Sequence, residues 1–219
     1  MRYLEVRAVL FDMDGTLIDS TEASEITWQR WAAAHQVSME SIRRVHHGRR
    51  PEETIAIVAP YLNAIEESKH IYAEQEMLAE GIQPIAGANS FFESIPRGQC
   101  AIVTAASRAI VDLRFRAVGL VPPDVCVTGD TLQVGKPSPE GYLEAARRLE
   151  CKPDDCIVFE DAPAGLIAAH RAGMQSVAVL SNYTEARLRD ELSPEMVPTA
   201  FLRDFRGITY LDGILRLPE

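Results

Sequence analysis

Val9-Leu10-Phe11-Asp12-Met13-Asp14-Gly15-Thr16 decides the reading of this chain: an apolar run ends on two carboxylates and a glycine turn. Alternate side chains of a strand share a face, so carboxylates spaced two apart can converge where the strand stops. Gly15 permits a sharp turn directly after the pair, and Thr16 adds a hydroxyl beside the same pocket. Such a segment supplies a nucleophile and an acid/base at once. A strand followed by a polar turn explains a lone D-x-D equally well, because Asp-Gly pairs are common in turns. Four specified positions at about 5% usage each arise by chance in roughly one chain of this size per thousand.

Working outward, three later segments carry complementary groups. Cys100-Ala101-Ile102-Val103-Thr104 is a second apolar run ending on a hydroxyl; Ala105 and Ala106 offer unobstructed backbone amides, and Ser107 is placed to cap the next helix. Gly135-Lys136-Pro137 precedes another helix and sets one positive charge where a phosphate and a nucleophilic carboxylate can share it. Cys156-Ile157-Val158-Phe159-Glu160-Asp161 is a further apolar strand ending in carboxylates. Mg²⁺ takes oxygen ligands, commonly one or two carboxylates plus phosphate and water, a role that suits Asp12 and Asp161 if their strands are neighbours. Each segment alone reads as an ordinary strand–turn–helix corner, a solvated lysine or a helix-capping acid. In this order, at successive strand ends of an open parallel sheet, they converge on one site.

D-x-D-G-T, then hydrophobic-T, G-K-P and E-D resembles the motif set of the haloacid dehalogenase (HAD) superfamily, and the resemblance spans roughly residues 5–185. It implies an α/β fold, a Rossmann-like parallel sheet core with an inserted all-helical cap domain. It further implies Asp12 as nucleophile, Asp14 as acid/base, and Thr104, Ala105 and Lys136 as binders of the transferring phosphoryl group. Asp12, the Asp14 backbone carbonyl and Asp161 would hold Mg²⁺, with Glu160 in support. A carboxylate nucleophile splits ester hydrolysis into two displacements, and the charge gathered on the phosphoryl oxygens calls for fixed cations.

The chain divides accordingly into a core of residues 1–17 and 83–219 and a helical cap of 18–82. A strand is expected at 6–11. Helical patterns follow at 21–36, 38–46, 51–60 and 63–80 with no convincing strand among them, and Gly81-Ile82-Gln83-Pro84 forms the return hinge. Beyond it, helices near 87–95, 108–119, 138–149 and 164–172 alternate with strands at 99–104, 125–127, 156–160 and 175–180. A small strand near 199–201 and a short terminal element close the chain.

Specificity is expected in the cap. Arg43-Arg44-Val45-His46-His47-Gly48-Arg49-Arg50-Pro51 gathers four arginines and two histidines in an otherwise acidic chain. Its H-G-x-R pattern is similar to the cap loop of HAD phosphatases acting on small sugar and polyol phosphates, which implies substrate contacts from His47, Gly48 and Arg50. Trp28 and Trp31, at helical spacing, read as packing between cap helices. W-x-x-W-A-x-x-H followed by H-G is most similar to bacterial hexose and hexitol phosphate phosphatases of the β-phosphoglucomutase-like branch.

The function so implied is Mg²⁺-dependent hydrolysis of small sugar or polyol phosphates. The alternative is a β-phosphoglucomutase-type mutase, whose gating cap histidine has Ser24 in its place here, as Thr16 stands for that branch's usual valine. A dehalogenase would lack Asp14. A phosphonate hydrolase would want a cap lysine near the substrate loop, and Lys69 lies far from it in sequence. A non-catalytic binding module would be expected to have lost at least one motif. The net charge of −10 argues against nucleic acid and anionic membrane as main partners. Four cysteines without metal spacing read as reduced thiols, and no apolar stretch reaches spanning length, so a cytoplasmic monomer is the expectation.

Overall fold

The computed structural model describes residues 1–218. In chain order it runs β1 (Arg2–Glu5), β2 (Ala8–Phe11), β3 (Ile18–Asp19), α1 (Thr21–His35), α2 (Met39–Arg43), α3 (Pro51–Val58), α4 (Ala64–Gln75), β4 (Gln83–Pro84), α5 (Ala88–Ser94), β5 (Cys100–Val103), α6 (Arg108–Ala117) and β6 (Val125–Val127). Then follow α7 (Glu140–Arg148), β7 (Cys156–Glu160), α8 (Pro163–Arg171), β8 (Gln175–Val179), α9 (Glu185–Glu191), β9 (Ala200–Leu202), β10 (Thr209–Leu211) and β11 (Ile214–Leu217).

Six strands form a parallel sheet in the order β6-β5-β2-β7-β8-β9. Strand β2 is wholly buried because every residue is apolar and both faces are covered, the pattern of a central parallel strand. Successive strands run outward from β2 through β5 to β6; the chain then crosses to β7 on the other side. The strand order therefore reverses at β2/β7, where ligands bind in open α/β sheets. Register fixes the site: Phe11 pairs with Ile102 and Phe159, so the residues just beyond them leave the sheet at one level. Beneath that level Phe11, Phe91, Phe92, Phe159 and Phe205 pack at centroid distances of 5.2–6.2 Å.

Helices α1–α4 stand between β3 and β4 with an apolar cluster of their own, including Trp28, Trp31, Ile42, Ile55 and Ile71. Trp28 and Trp31 meet edge to face at 5.7 Å and are nearly buried, as core packing requires. Two features differ from the sequence reading of this part. The stretch opens on a two-residue strand, β3, which pairs antiparallel with β4 and closes the stem of the insertion. Helix α4 ends at Gln75 rather than near 80.

The strand expected at 6–11 forms only over Ala8–Phe11, and a further strand that the sequence reading lacked precedes it. Residues Arg2–Glu5 leave the main sheet and pair with β11, which pairs in turn with β10, as a three-stranded antiparallel sheet. Between them the Val6 amide donates to Gly213 and the Arg7 amide to Asp155, committing the two strands to different sheets. All four cysteines are free thiols, and among the described residues no helix is long and apolar enough to cross a membrane.

Candidate active site

Asp12 follows the last residue of β2, its amide donating to the Phe159 carbonyl at 3.0 Å as a continuation of the β2–β7 ladder. Its carboxylate is buried and accepts from Lys136 Nζ at 2.5 Å and from the Thr16 hydroxyl at 3.3 Å. Lys136 also reaches Glu160 at 2.6 Å, and Tyr142 Oη donates to the same Glu160 oxygen at 3.1 Å. The second Glu160 oxygen accepts the Asp161 and Ala162 amides at 2.9 and 3.0 Å. Glu160 is thus a buttress that holds Lys136 against Asp12. Gly165, one turn into α8, leaves room for it: a Cβ there would overlap the Glu160 carboxylate.

Burial pushes the Asp12 carboxyl up to about 7, against the pull of Lys136 and with smaller upward pushes from Glu160 and Asp14. Desolvation also works against charge on Lys136, but Asp12 and Glu160 outweigh it and hold the ammonium well above the ordinary lysine value. Burial, then Glu160 and Asp12, drive Asp161 far above the usual carboxylate range. Three buried carboxylates share one ammonium, so the cluster is short of positive charge.

That shortage, and one orphaned atom, fit a divalent cation. Asp12, Glu160 and Asp161 present ligand oxygens within 4.8 Å of one another. Asp161 Oδ1 is buried without any hydrogen-bond partner, a costly arrangement that a cation relieves. Its other oxygen accepts from Asn182 Nδ2 at 2.8 Å. The backbone at Gly15 lies close against this pair; with φ +84° and its Cβ position occupied by Asp161 and Asn182 atoms, only glycine fits.

Asp14 points into a cleft of about 330 Å³ between the core strand ends and the inserted helices. Thr104, buried at the end of β5, and Ala105 line the same floor, and Thr104 Oγ1 accepts the Ala106 amide at 3.1 Å. Ser107 caps α6 as expected, accepting the Ile110 amide, and donates to Glu76, the residue after α4. Asp12, Asp14, Thr104, Lys136, Glu160 and Asp161, read from four separate segments, are therefore brought to one place.

The helical wall differs from expectation at one residue. His46, His47, Gly48 and Arg49 line the cleft. Burial pushes His46 down to about 3 and His47 to about 4, so both rings are neutral near pH 7; their centroids lie 3.9 Å apart with the planes tilted by 36°. Gly48, at φ +73°, brings the loop against the core, where its Cβ would stand 3.1 Å from that of Ala162. Arg50 turns away: its guanidinium pairs with Glu53 at 2.6 Å and Glu52 at 3.4 Å within the cap and donates to the Leu132 and Gln133 carbonyls. Glu53 in turn accepts the Gly135 amide at 3.1 Å, so Arg50 straps the cap to the loop that carries Lys136 and does not line the main cleft. The first helical turn at Pro51–Glu53 captures it, because an arginine next to two glutamates on one helix start finds charge locally before it reaches the core.

Sequence reading missed Ser20, Arg114, Tyr142, Gly165 and Asn182. Arg114 carried a signal: it follows Ile110 by four residues on the apolar face of α6, where a charge is out of place unless paired.

With this geometry in view, a sequence model described as haloacid dehalogenase-like hydrolase matches residues 9–179. The chain belongs to that family. Among curated relatives it is similar to hexitol phosphatase A of Escherichia coli (32% identity; 85% of this chain, 89% of the relative). It is also similar to validoxylamine A 7'-phosphate phosphatase of Streptomyces hygroscopicus subsp. limoneus (32%; 84% and 90%). Among solved structures it resembles CbbY of Rhodobacter sphaeroides in complex with xylulose-(1,5)bisphosphate, with a TM-score of 0.78, 26% identity and coverage of 95% and 98%.

Proposed function

We propose that this hydrolase is a Mg²⁺-dependent phosphomonoesterase that cleaves small sugar or polyol phosphates through an aspartyl-phosphate on Asp12. The observation that carries the reading is the buried Lys136–Asp12 pair at 2.5 Å, buttressed by Glu160, at the topological switch point of the sheet. Asp12 Oδ attacks phosphorus, and Asp14 donates a proton to the departing alkoxide oxygen. In the second displacement Asp14 takes a proton from the water that attacks the phosphoryl group on Asp12. Lys136 and Thr104 orient the phosphoryl oxygens in a site largely shielded from water, where a fixed charge acts most strongly. Mg²⁺, held by Asp12, Asp161 and the Asp14 carbonyl with Glu160 behind them, would supply positive charge against the phosphoryl oxygens.

The substrate class is supported by the cap wall and by the phosphatase names of the similar proteins. Neutral His46 and His47 offer both donors and acceptors, as a hydroxyl-rich substrate needs. Arg49 lines the cleft and forms no ion pair among the described residues. Lys69 is mostly exposed and paired with Glu66, which gives no amine for Schiff-base chemistry at the cleft.

Phosphate release from a panel of hexose, hexitol and glycerol phosphates, with and without Mg²⁺, tests the reading. Release that depends on the metal and on Asp12 is expected. Conversion of β-glucose 1-phosphate to the 6-phosphate without release would make the chain a mutase instead.

A further inference from the structure

Helix α6 turns Ile110, Val111 and Phe115 into the core, and Arg114 shares their buried face with only 4% of its side chain exposed. A guanidinium in such a place needs a partner, and it has one at the cleft floor: Arg114 Nη1 ion-pairs with Asp14 Oδ2. The other oxygen, Asp14 Oδ1, accepts from Ser20 Oγ at 2.7 Å. Ser20 is buried and sits between β3 and α1, where the chain leaves the core to enter the inserted helices. Both carboxyl oxygens of Asp14 are thus held, one from each side of the boundary between core and cap.

We infer that Arg114 is a positioning residue for Asp14 and that, with Ser20, it forms a two-donor clamp tying the orientation of the acid/base to the seating of the cap. The inference rests on the phosphatase reading and deepens it. The backbone at this point is fixed, since Met13 is buried and Gly15 is jammed against Asp161, but the Asp14 side chain remains 30% exposed. Without the clamp it has rotamer freedom and water to satisfy it. A general acid acts only within hydrogen-bond reach of the leaving oxygen.

In the first displacement the Asp12 Oδ–P bond forms and the ester P–O bond breaks. The Asp14 O–H bond breaks at the same time, its proton going to the leaving oxygen. The carboxylate left behind faces Arg114 and Ser20. In the second displacement water loses a proton to Asp14 as its oxygen bonds to phosphorus and the Asp12 O–P bond breaks, which restores the starting proton count.

The test uses Arg114→Gln and Arg114→Lys, each alone and combined with Asp14→Asn, on a hexitol phosphate and on nitrophenyl phosphate. Nitrophenolate departs without a proton; an alkoxide does not. Arg114→Gln is expected to lower kcat on the hexitol phosphate by about 10–100-fold, with KM within about threefold and a smaller loss on the aryl ester. In the Asp14→Asn background it should cost less than about twofold more, because the two residues act as one unit. Arg114→Lys should recover part of the loss.

A loss confined to KM, an equal loss on both esters, or a loss that multiplies with that of Asp14→Asn would overturn the clamp. Crystal structures of the wild type and of Arg114→Gln provide a readout free of turnover and show whether the variant folds. Asp14 rotated from its place in the variant supports the inference, and Asp14 unmoved overturns it. A wild type that releases phosphate from no ester defeats the phosphatase reading, while the position of Asp14 still decides the clamp; if Arg114→Gln does not fold, Arg114→Lys carries both measurements.

Discussion

On the core wall of the cleft Asp12, Lys136 and Glu160 hold one another at 2.5–2.6 Å, nearly sealed from water. On the cap wall His46 and His47 are neutral and lie against each other at a tilt, and Arg49 has no carboxylate partner among the described residues. The first wall is saturated with internal bonds and leaves one group wanting, the orphaned oxygen of Asp161. The second has hydrogen-bonding capacity in hand. On the proposed function, chemistry that needs charges in fixed positions falls to the first wall and discrimination among hydroxyl-bearing leaving groups to the second.

If that division holds, the largest effect comes from Asp12→Asn. Turnover of every substrate is expected to fall by at least about a thousandfold, with the thermal midpoint little changed because the side chain is isosteric; phosphate release and thermal unfolding read the two. Next comes Lys136→Met, which strands two buried carboxylates. It should abolish turnover and, in the metal-free protein, cost about 3–5 kcal/mol of stability, measured by urea unfolding. A stable variant would mean that the core wall is not held together by this charge.

The cap wall should respond differently. Arg49→Ala is expected to raise KM for sugar phosphates about 10–100-fold, the worth of one charge-assisted hydrogen bond, with a much smaller change for nitrophenyl phosphate. Arg50→Ala should affect both substrates alike, since Arg50 contacts the Lys136 loop and not the cleft. If Arg50 discriminated between the esters and Arg49 did not, the two arginines would exchange roles.

The smallest effect concerns pH. The folded values of His46 and His47, about 3 and 4, lie below the ordinary 6.5. Their contribution to stability is therefore complete above about pH 6.5 and is lost as pH falls toward 4 and below. His47→Asn should shallow the decline of the thermal midpoint between pH 6.5 and 4. An unchanged slope would show that His47 is not buried as described.

The core was legible because its signals are local and redundant. Asp12, Thr104 and Asp161 each directly follow an apolar strand, so the parallel topology that joins the strands also joins these residues, and Lys136 reaches them from the loop between β6 and α7. What escaped reading was set by partners distant in the chain. Arg2–Glu5 lies outside the expected strand and is taken into another sheet by β11, although Asp212-Gly213, flanked by apolar residues, is a recognisable hairpin turn that announces β10–β11. Arg50 was assigned to substrate by pattern, yet Glu52 and Glu53 beside it in sequence were the competing partners. Gly165 and Tyr142 serve Glu160 from other helices, and nothing in their own neighbourhoods marks them.

The most direct test of the central claim is an acid quench during turnover of a radiolabelled sugar phosphate, followed by peptide mapping. Label bound covalently to the peptide containing Asp12, absent from Asp12→Asn, is the predicted result. Phosphate release that proceeds with no labelled protein and survives in Asp12→Asn would contradict it.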